Sequence, residues 1–243
     1  MNKNKDIFTE LLICNSLGVT LPRDAQKTLS PAELVRLESI RHPRQARLFV
    51  LGRYLLRQLL ADRLNQPAEH IAIYIDARGK PLLEQKGWYF NISHSGDMLA
   101  LAIGNGGSLG VDIEGRSLSA TQRTRLARRY LSGQEQQWLS LSQNPTDFTR
   151  LWTVKEAVLK AHGGGIANNL QRVHWRPGHD NASLDQHPYR LYQYPLGTSW
   201  LTLAMDGLQG PEPSGLRLTD LPFELEITGR QPNLSVNPQI HNP

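Results

Sequence analysis

Leu99-Ala100-Leu101-Ala102-Ile103 has an echo in Leu201-Thr202-Leu203-Ala204-Met205. Each run is apolar, follows a glycine-containing turn and is itself followed by glycine. Each reads as a buried strand, and a similar helix-then-strands order precedes both. The repetition predicts an α+β fold, a pseudo-dimeric monomer of two similar halves with a site between them. The halves divide near residue 115, giving a first half over 1–115 and a second over 116–228. A tail over 229–243, rich in Asn, Gln and Pro, is expected to be disordered.

Outward from the first run, Trp88 to Ile92 is a second strand, and Ile71 to Ile75 a third, followed by a turn at Ala77-Arg78-Gly79-Lys80-Pro81. Asn105-Gly106-Gly107 predicts a hairpin returning through Leu109 to Ile113. Upstream, Ser30-Pro31-Ala32-Glu33 is a helix start with a capping box, and Pro43 interrupts or restarts that helix. Leu48, Leu51, Leu55, Leu59 and Leu60 then recur at helical spacing, with arginines on the other side. Around the second run, 117–142 and 148–161 read as helical, the latter ending at Gly163-Gly164-Gly165. A strand near Val173, a polar loop over 177–187 and strands at Tyr189–Tyr194 and Trp200–Met205 complete the reading.

Composition narrows the class. No apolar run approaches the roughly 18 residues that cross a bilayer, and Leu11-Leu12-Ile13-Cys14 is too short for a signal-peptide core. Cys14 is the single cysteine, which excludes an internal disulfide and a thiolate metal cage. A cytoplasmic address follows. Of 27 basic and 22 acidic groups, residues 1–80 hold 13 and 8, so the whole excess lies in the first third. Arg36, Arg41, Arg44, Arg47, Arg53, Arg57 and Arg63 favour a polyanionic partner or simply form a solvated helix face.

Three constellations carry chemistry. In Gly110-Val111-Asp112-Ile113-Glu114 the strand period puts both carboxylates on one face. They repel unless a cation lies between them, and hard oxygen donors suit magnesium; an edge strand with ordinary polar residues is the alternative. In Trp152-Thr153-Val154-Lys155-Glu156-Ala157-Val158-Leu159-Lys160-Ala161, Glu156 and Lys160 lie four apart on one helix face. They form a plain helix ion pair or, facing the acidic strand, a third carboxylate with a lysine left for phosphate. In Phe90-Asn91-Ile92-Ser93-His94-Ser95-Gly96, hydroxyls and an imidazole join Lys80 of the preceding turn in a phosphate grip. His94 is equally readable as a hydrogen-bonded structural histidine.

Together with Gly79-Lys80-Pro81, these segments resemble, in order and spacing, the Sfp-type phosphopantetheinyl transferases, over roughly Arg44 to Gly165. The resemblance implies a magnesium-dependent transfer of 4′-phosphopantetheine from coenzyme A to a serine of an apo carrier protein. Asp112, Glu114 and Glu156 would match the magnesium ligands. Lys80, Ser93 and His94 would match the phosphate-binding residues, and Lys160 the lysine that reaches the pyrophosphate. Glu156 would be the base for the serine hydroxyl. One of Arg44, Arg47 and Arg53 would hold the 3′-phosphate. Gly115-Arg116 departs from the Lys-Thr pair of some relatives. The segment 117–131 would dock the acidic carrier, with Leu126 and Tyr130 as an apolar centre and Arg116, Arg123, Arg125, Arg128 and Arg129 as a charged rim. No nucleic acid or membrane partner is implied, and the chain is expected to act as a monomer. The competing readings are a magnesium-dependent nuclease, which needs basic charge across the acidic face rather than in one helix region, and an inactive carrier-binding module, which should lack a carboxylate or Lys160.

Overall fold

In the computed structural model, which describes residues 7–19, 21–165 and 169–208, ten strands and five α-helices are defined. The first half runs β1 (Thr9–Asn15), α1 (Pro31–Glu38), α2 (Pro43–Leu64), β2 (Ile73–Ile75), β3 (Pro81–Leu83), β4 (Tyr89–Ser95) and β5 (Met98–Gly104). The second runs β6 (Leu109–Glu114), α3 (Ala120–Tyr130), α4 (Gly133–Leu141), α5 (Asp147–His162), β7 (Val173–Trp175), β8 (Asn181–Leu184), β9 (His187–Leu196) and β10 (Ser199–Asp206). The Ser30 capping box opens α1, and Pro43 opens α2 as a separate helix.

The echo is topological. One sheet has the order β1-β5-β4 and the other β6-β10-β9-β8-β7. In each, a leading strand and the last-formed strand pair antiparallel, and a long helix lies between them in sequence. β1 corresponds to β6, α2 to α5 and β5 to β10. The family of strands beginning at Leu109 therefore belongs to the second half, which moves the division from residue 115 to about residue 108.

Alternation along the strands builds the layers. Leu12, Cys14, Leu99, Leu101 and Ile103 face α2, where they meet Leu48, Leu51, Leu55 and Leu59. Leu11, Ile13, Ala100 and Ala102, on the opposite face, meet Val111, Ile113, Leu201 and Leu203 of the second sheet. Ala157, Val158 and Ala161 of α5 cover the far side, with Ala204 and Leu191. The order is helix, sheet, sheet, helix. Each fully buried leucine contributes roughly 1.5–3 kcal/mol, so the leucine stripe of α2 is enough to hold its layer.

Three expectations are corrected. The Asn105-Gly106-Gly107 turn does not make a hairpin: both edges of β5 are taken, by β1 and β4, and the chain crosses to the other sheet. The polar stretch 177–187 contains β8, whose Ala182 and Leu184 are buried. Leu126 and Tyr130 are partly buried against the second core, Tyr130 edge-on to Trp152, so they are not an exposed apolar centre. The outer face of α3 is Thr121, Thr124, Arg125, Arg128 and Arg129. The tail over 229–243 lies outside the described residues.

Candidate functional site

β6 sorts its residues by parity. Val111 and Ile113 enter the core between the sheets, while Gly110 meets α5. The approach depends on that glycine: a Cβ there would lie 2.2 Å from the Ala157 carbonyl oxygen and 2.3 Å from the Ala161 nitrogen. α5 is thereby laid along the strand. Nearer its start, the Thr153 hydroxyl is 2.9 Å from that of Thr202, the β10 residue opposite Asp112. Its end is a left-handed Gly163 at φ 76°.

This placement brings Lys160 onto Asp112. The ammonium donates to Asp112 Oδ1 at 2.6 Å, to Ser93 Oγ at 2.9 Å and to the Val111 carbonyl at 3.3 Å. Ser93 in turn donates to Asp112 Oδ1 at 2.8 Å. Ser95 donates to Glu114 Oε2 at 2.9 Å. Asp112 is 1 % exposed, and its Oδ2 is buried without a hydrogen-bond partner. Such an oxygen is costly unless something cationic completes it.

The three acids feel one another. Burial, and then the Asp112 charge, push Glu156 up to about 7, although Lys160 opposes the shift. Glu114 is raised by burial and then by Asp112. Burial raises Asp112 against the pull of Lys160. Among the described residues no three His, Cys, Asp or Glu side chains already converge as a cage for a metal ion. Asp112 Oδ1 and Glu114 Oε2 are held by Lys160, Ser93 and Ser95 instead. The donor set still fits a hard divalent cation: it is all carboxylate, mutually repelling, and includes a buried orphan oxygen.

The cations expected around phosphate divide sharply. Arg53 pairs with buried Glu33 at 3.0 Å and lies over Phe49 and Phe90. Its guanidinium is thereby engaged within the first half. Arg47 donates to the Ser16 carbonyl at 3.1 Å and to the Val19 carbonyl, tying α2 to the loop after β1. Arg44 is exposed, paired at 2.5 Å with Asp97 of the turn that follows His94 and Ser95. His94 is on the opposite face of β4 from Ser93, its pKa lowered by desolvation and then by Lys160. Lys80 does not point at the acids: its Nζ donates to the Lys160 carbonyl at 2.7 Å, capping the carbonyl-rich end of α5. Asp76 prepares this contact by accepting the Arg78 and Lys80 amides at 2.9 and 2.8 Å.

Other participants stand in the motifs without an expected role. Asn91 and Ser95 reach from β4 to β6, and Lys155, fully buried, joins Glu135 at 2.8 Å and the carbonyls of Leu170 and Val173. The signal for the first pair is Asn91, Ser93 and Ser95 at period two on the face of a strand whose neighbour there shows no polar side chain, only Ala102, Ala100 and Met98.

Comparison with known proteins agrees with this geometry. A model of the 4′-phosphopantetheinyl transferase superfamily matches residues 108–195, and one of 4′-phosphopantetheinyl transferase, N-terminal, matches residues 23–105. The chain is 34% identical over 154 residues to a putative 4′-phosphopantetheinyl transferase of Synechocystis, covering 61% of this chain and 62% of that one. It is 35% identical over 152 residues to the 4′-phosphopantetheinyl transferase HetI of Nostoc, covering 60% and 64%. It is 32% identical over 161 residues to the L-aminoadipate-semialdehyde dehydrogenase-phosphopantetheinyl transferase of Xenopus laevis, covering 60% and 53%. The chain thus spans between half and two thirds of the length of these relatives. With consecutive matches that divide where the two sheets divide, the chain belongs to the 4′-phosphopantetheinyl transferase superfamily.

Proposed function

We propose that this protein transfers the 4′-phosphopantetheine group of coenzyme A to a serine of an apo carrier protein. The observation that carries the reading is the buried, unpartnered Asp112 Oδ2 beside Glu114 and Glu156 at the junction of the halves. Asp112, Glu114 and Glu156 would hold magnesium, which when bound would neutralise charge on the pyrophosphate and the departing 3′,5′-ADP. Glu156 takes the proton from the serine hydroxyl. The serine oxygen forms a bond to the phosphorus that bears pantetheine. The bond from that phosphorus to the bridging oxygen breaks, and 3′,5′-ADP leaves.

Lys160 and Ser93, already joined at 2.9 Å, present an ammonium and a hydroxyl to the pyrophosphate. Arg44 and His94 flank the same hairpin, and Arg44 is the candidate for the 3′-phosphate because Arg47 and Arg53 are committed elsewhere. The outer arginines of α3 meet the acidic carrier. The test is intact-mass measurement of several apo-carriers incubated with the protein, magnesium and coenzyme A. A gain of one phosphopantetheine is expected on at least one of them. Carriers that all stay unmodified, while a known transferase modifies them, would refute the reading.

A further inference from the structure

β4 and β6 are edge strands of different sheets, and side chains rather than a backbone ladder join them. Asn91 Oδ1 accepts the Val111 amide at 2.9 Å, Ser93 Oγ the Ile113 amide at 3.3 Å, and Ser95 Oγ the Gly115 amide at 3.1 Å. Each link spans 20 residues of sequence. Both strands therefore advance two residues per link, in a fixed register. The Val111 and Ile113 amides lie along the edge of β6 that β10 does not use, and burying them without acceptors would cost about 1–3 kcal/mol each, whereas Gly115 is exposed.

The two serines do a second thing in the same way. Ser93 accepts from the residue after Asp112 and donates to Asp112; Ser95 accepts from the residue after Glu114 and donates to Glu114. A hydroxyl has one proton, so the direction of each link to the acid is fixed by the acid being acceptor-only when ionised. Asp112 has further restraint from Lys160 and is 1 % exposed. Glu114 is half-buried at the strand end, has an extra torsion, and feels the Arg116 charge two residues on. Among the described residues, Ser95 is the side-chain hydrogen-bond donor to its carboxylate.

We infer that Ser95 is a positioning residue that holds the Glu114 carboxylate in place for a divalent cation. The inference rests on the metal reading of Asp112, Glu114 and Glu156. Donors behind a ligating group typically change metal affinity 10–100-fold. The test is Mn²⁺ titrated into the full-length protein, with free ion counted by electron paramagnetic resonance, for wild type, Ser95→Ala and Ser95→Thr. Ser95→Ala is expected to bind Mn²⁺ about 10-fold or more weakly. Ser95→Thr, which keeps the hydroxyl, is expected to restore wild-type affinity. Thermal melting in EDTA separates this from simple loss of fold: Ser95→Ala removes the bond to Glu114 and the bond from the Gly115 amide, and a melting point near that of wild type would show that the register of β4 and β6 survives both losses. Unchanged Mn²⁺ affinity in Ser95→Ala, or a Ser95→Thr protein as weak as Ser95→Ala, would overturn the inference while leaving the metal reading intact. A wild-type protein that takes up no Mn²⁺ would overturn the metal reading first, before any variant is compared.

Discussion

At the scale of single residues, Glu156 is where geometry becomes a measurable property. Its carboxyl titrates near 7 in the fold against an ordinary 4.5, first because it is buried and then because Asp112 is close. A raised carboxyl favours the fold most at low pH, fully below about 4.5, and that contribution is lost as pH rises through 7. A glutamine at this position cannot ionise, so in EDTA Glu156→Gln should match wild type near pH 4.5 and exceed it at pH 8 by roughly 1–3 kcal/mol. Urea denaturation at the two values checks this; parallel stabilities across the range would show that the acid is not strained. Strand and helix periods put Asp112 with Glu114, and Glu156 with Lys160, on shared faces, but whether that helix faces the strand stays open in the sequence. The partners of Lys80 and Arg53 were not legible, since sequence shows a cation but not the acceptor it will find. A helix end absorbed the first and a buried glutamate the second.

At the scale of elements, the contact between α5 and β6 decides whether a site exists. Gly110→Ala would drive a Cβ to 2.2 Å from a backbone oxygen, where no rotamer change can relieve it. Overpacking of this kind costs about 1–3 kcal/mol or more, and here it also lifts Lys160 off Asp112. The expected outcome is a lowered urea midpoint together with lost transfer; wild-type stability would mean that α5 does not lie on the strand as described. Helix starts were readable from Ser30, Pro31 and Pro43 because capping is local chemistry. Strand pairing was not. Asn105-Gly106-Gly107 has the composition of a hairpin turn, yet β1, whose Leu11 to Cys14 was read only against a signal peptide, already occupies the edge of β5 that β6 would need.

At the scale of the molecule, the repeat of strand, helix and paired strands was visible in Leu99–Ile103 and Leu201–Met205. Its point of division was hidden because a strand's sequence does not say which sheet it will join. No helix among the described residues is long and apolar enough to cross a membrane. The outer face of α3 is a separate, testable surface. With Leu126 and Tyr130 turned inward, docking there depends on charge rather than on an apolar centre. Reversing Arg125 and Arg128 to Glu should raise the Michaelis constant for the carrier and flatten its salt dependence, with coenzyme A affinity unchanged. Normal kinetics at low ionic strength would move docking to another face. The central claim, that transfer is performed at the junction of the two sheets, is tested most directly by single-turnover intact-mass kinetics on one apo-carrier, comparing wild type with Glu156→Gln. Wild type should add one phosphopantetheine and stop in EDTA, and folded Glu156→Gln should be at least ~100-fold slower; a Glu156→Gln protein that keeps the wild-type rate would contradict it.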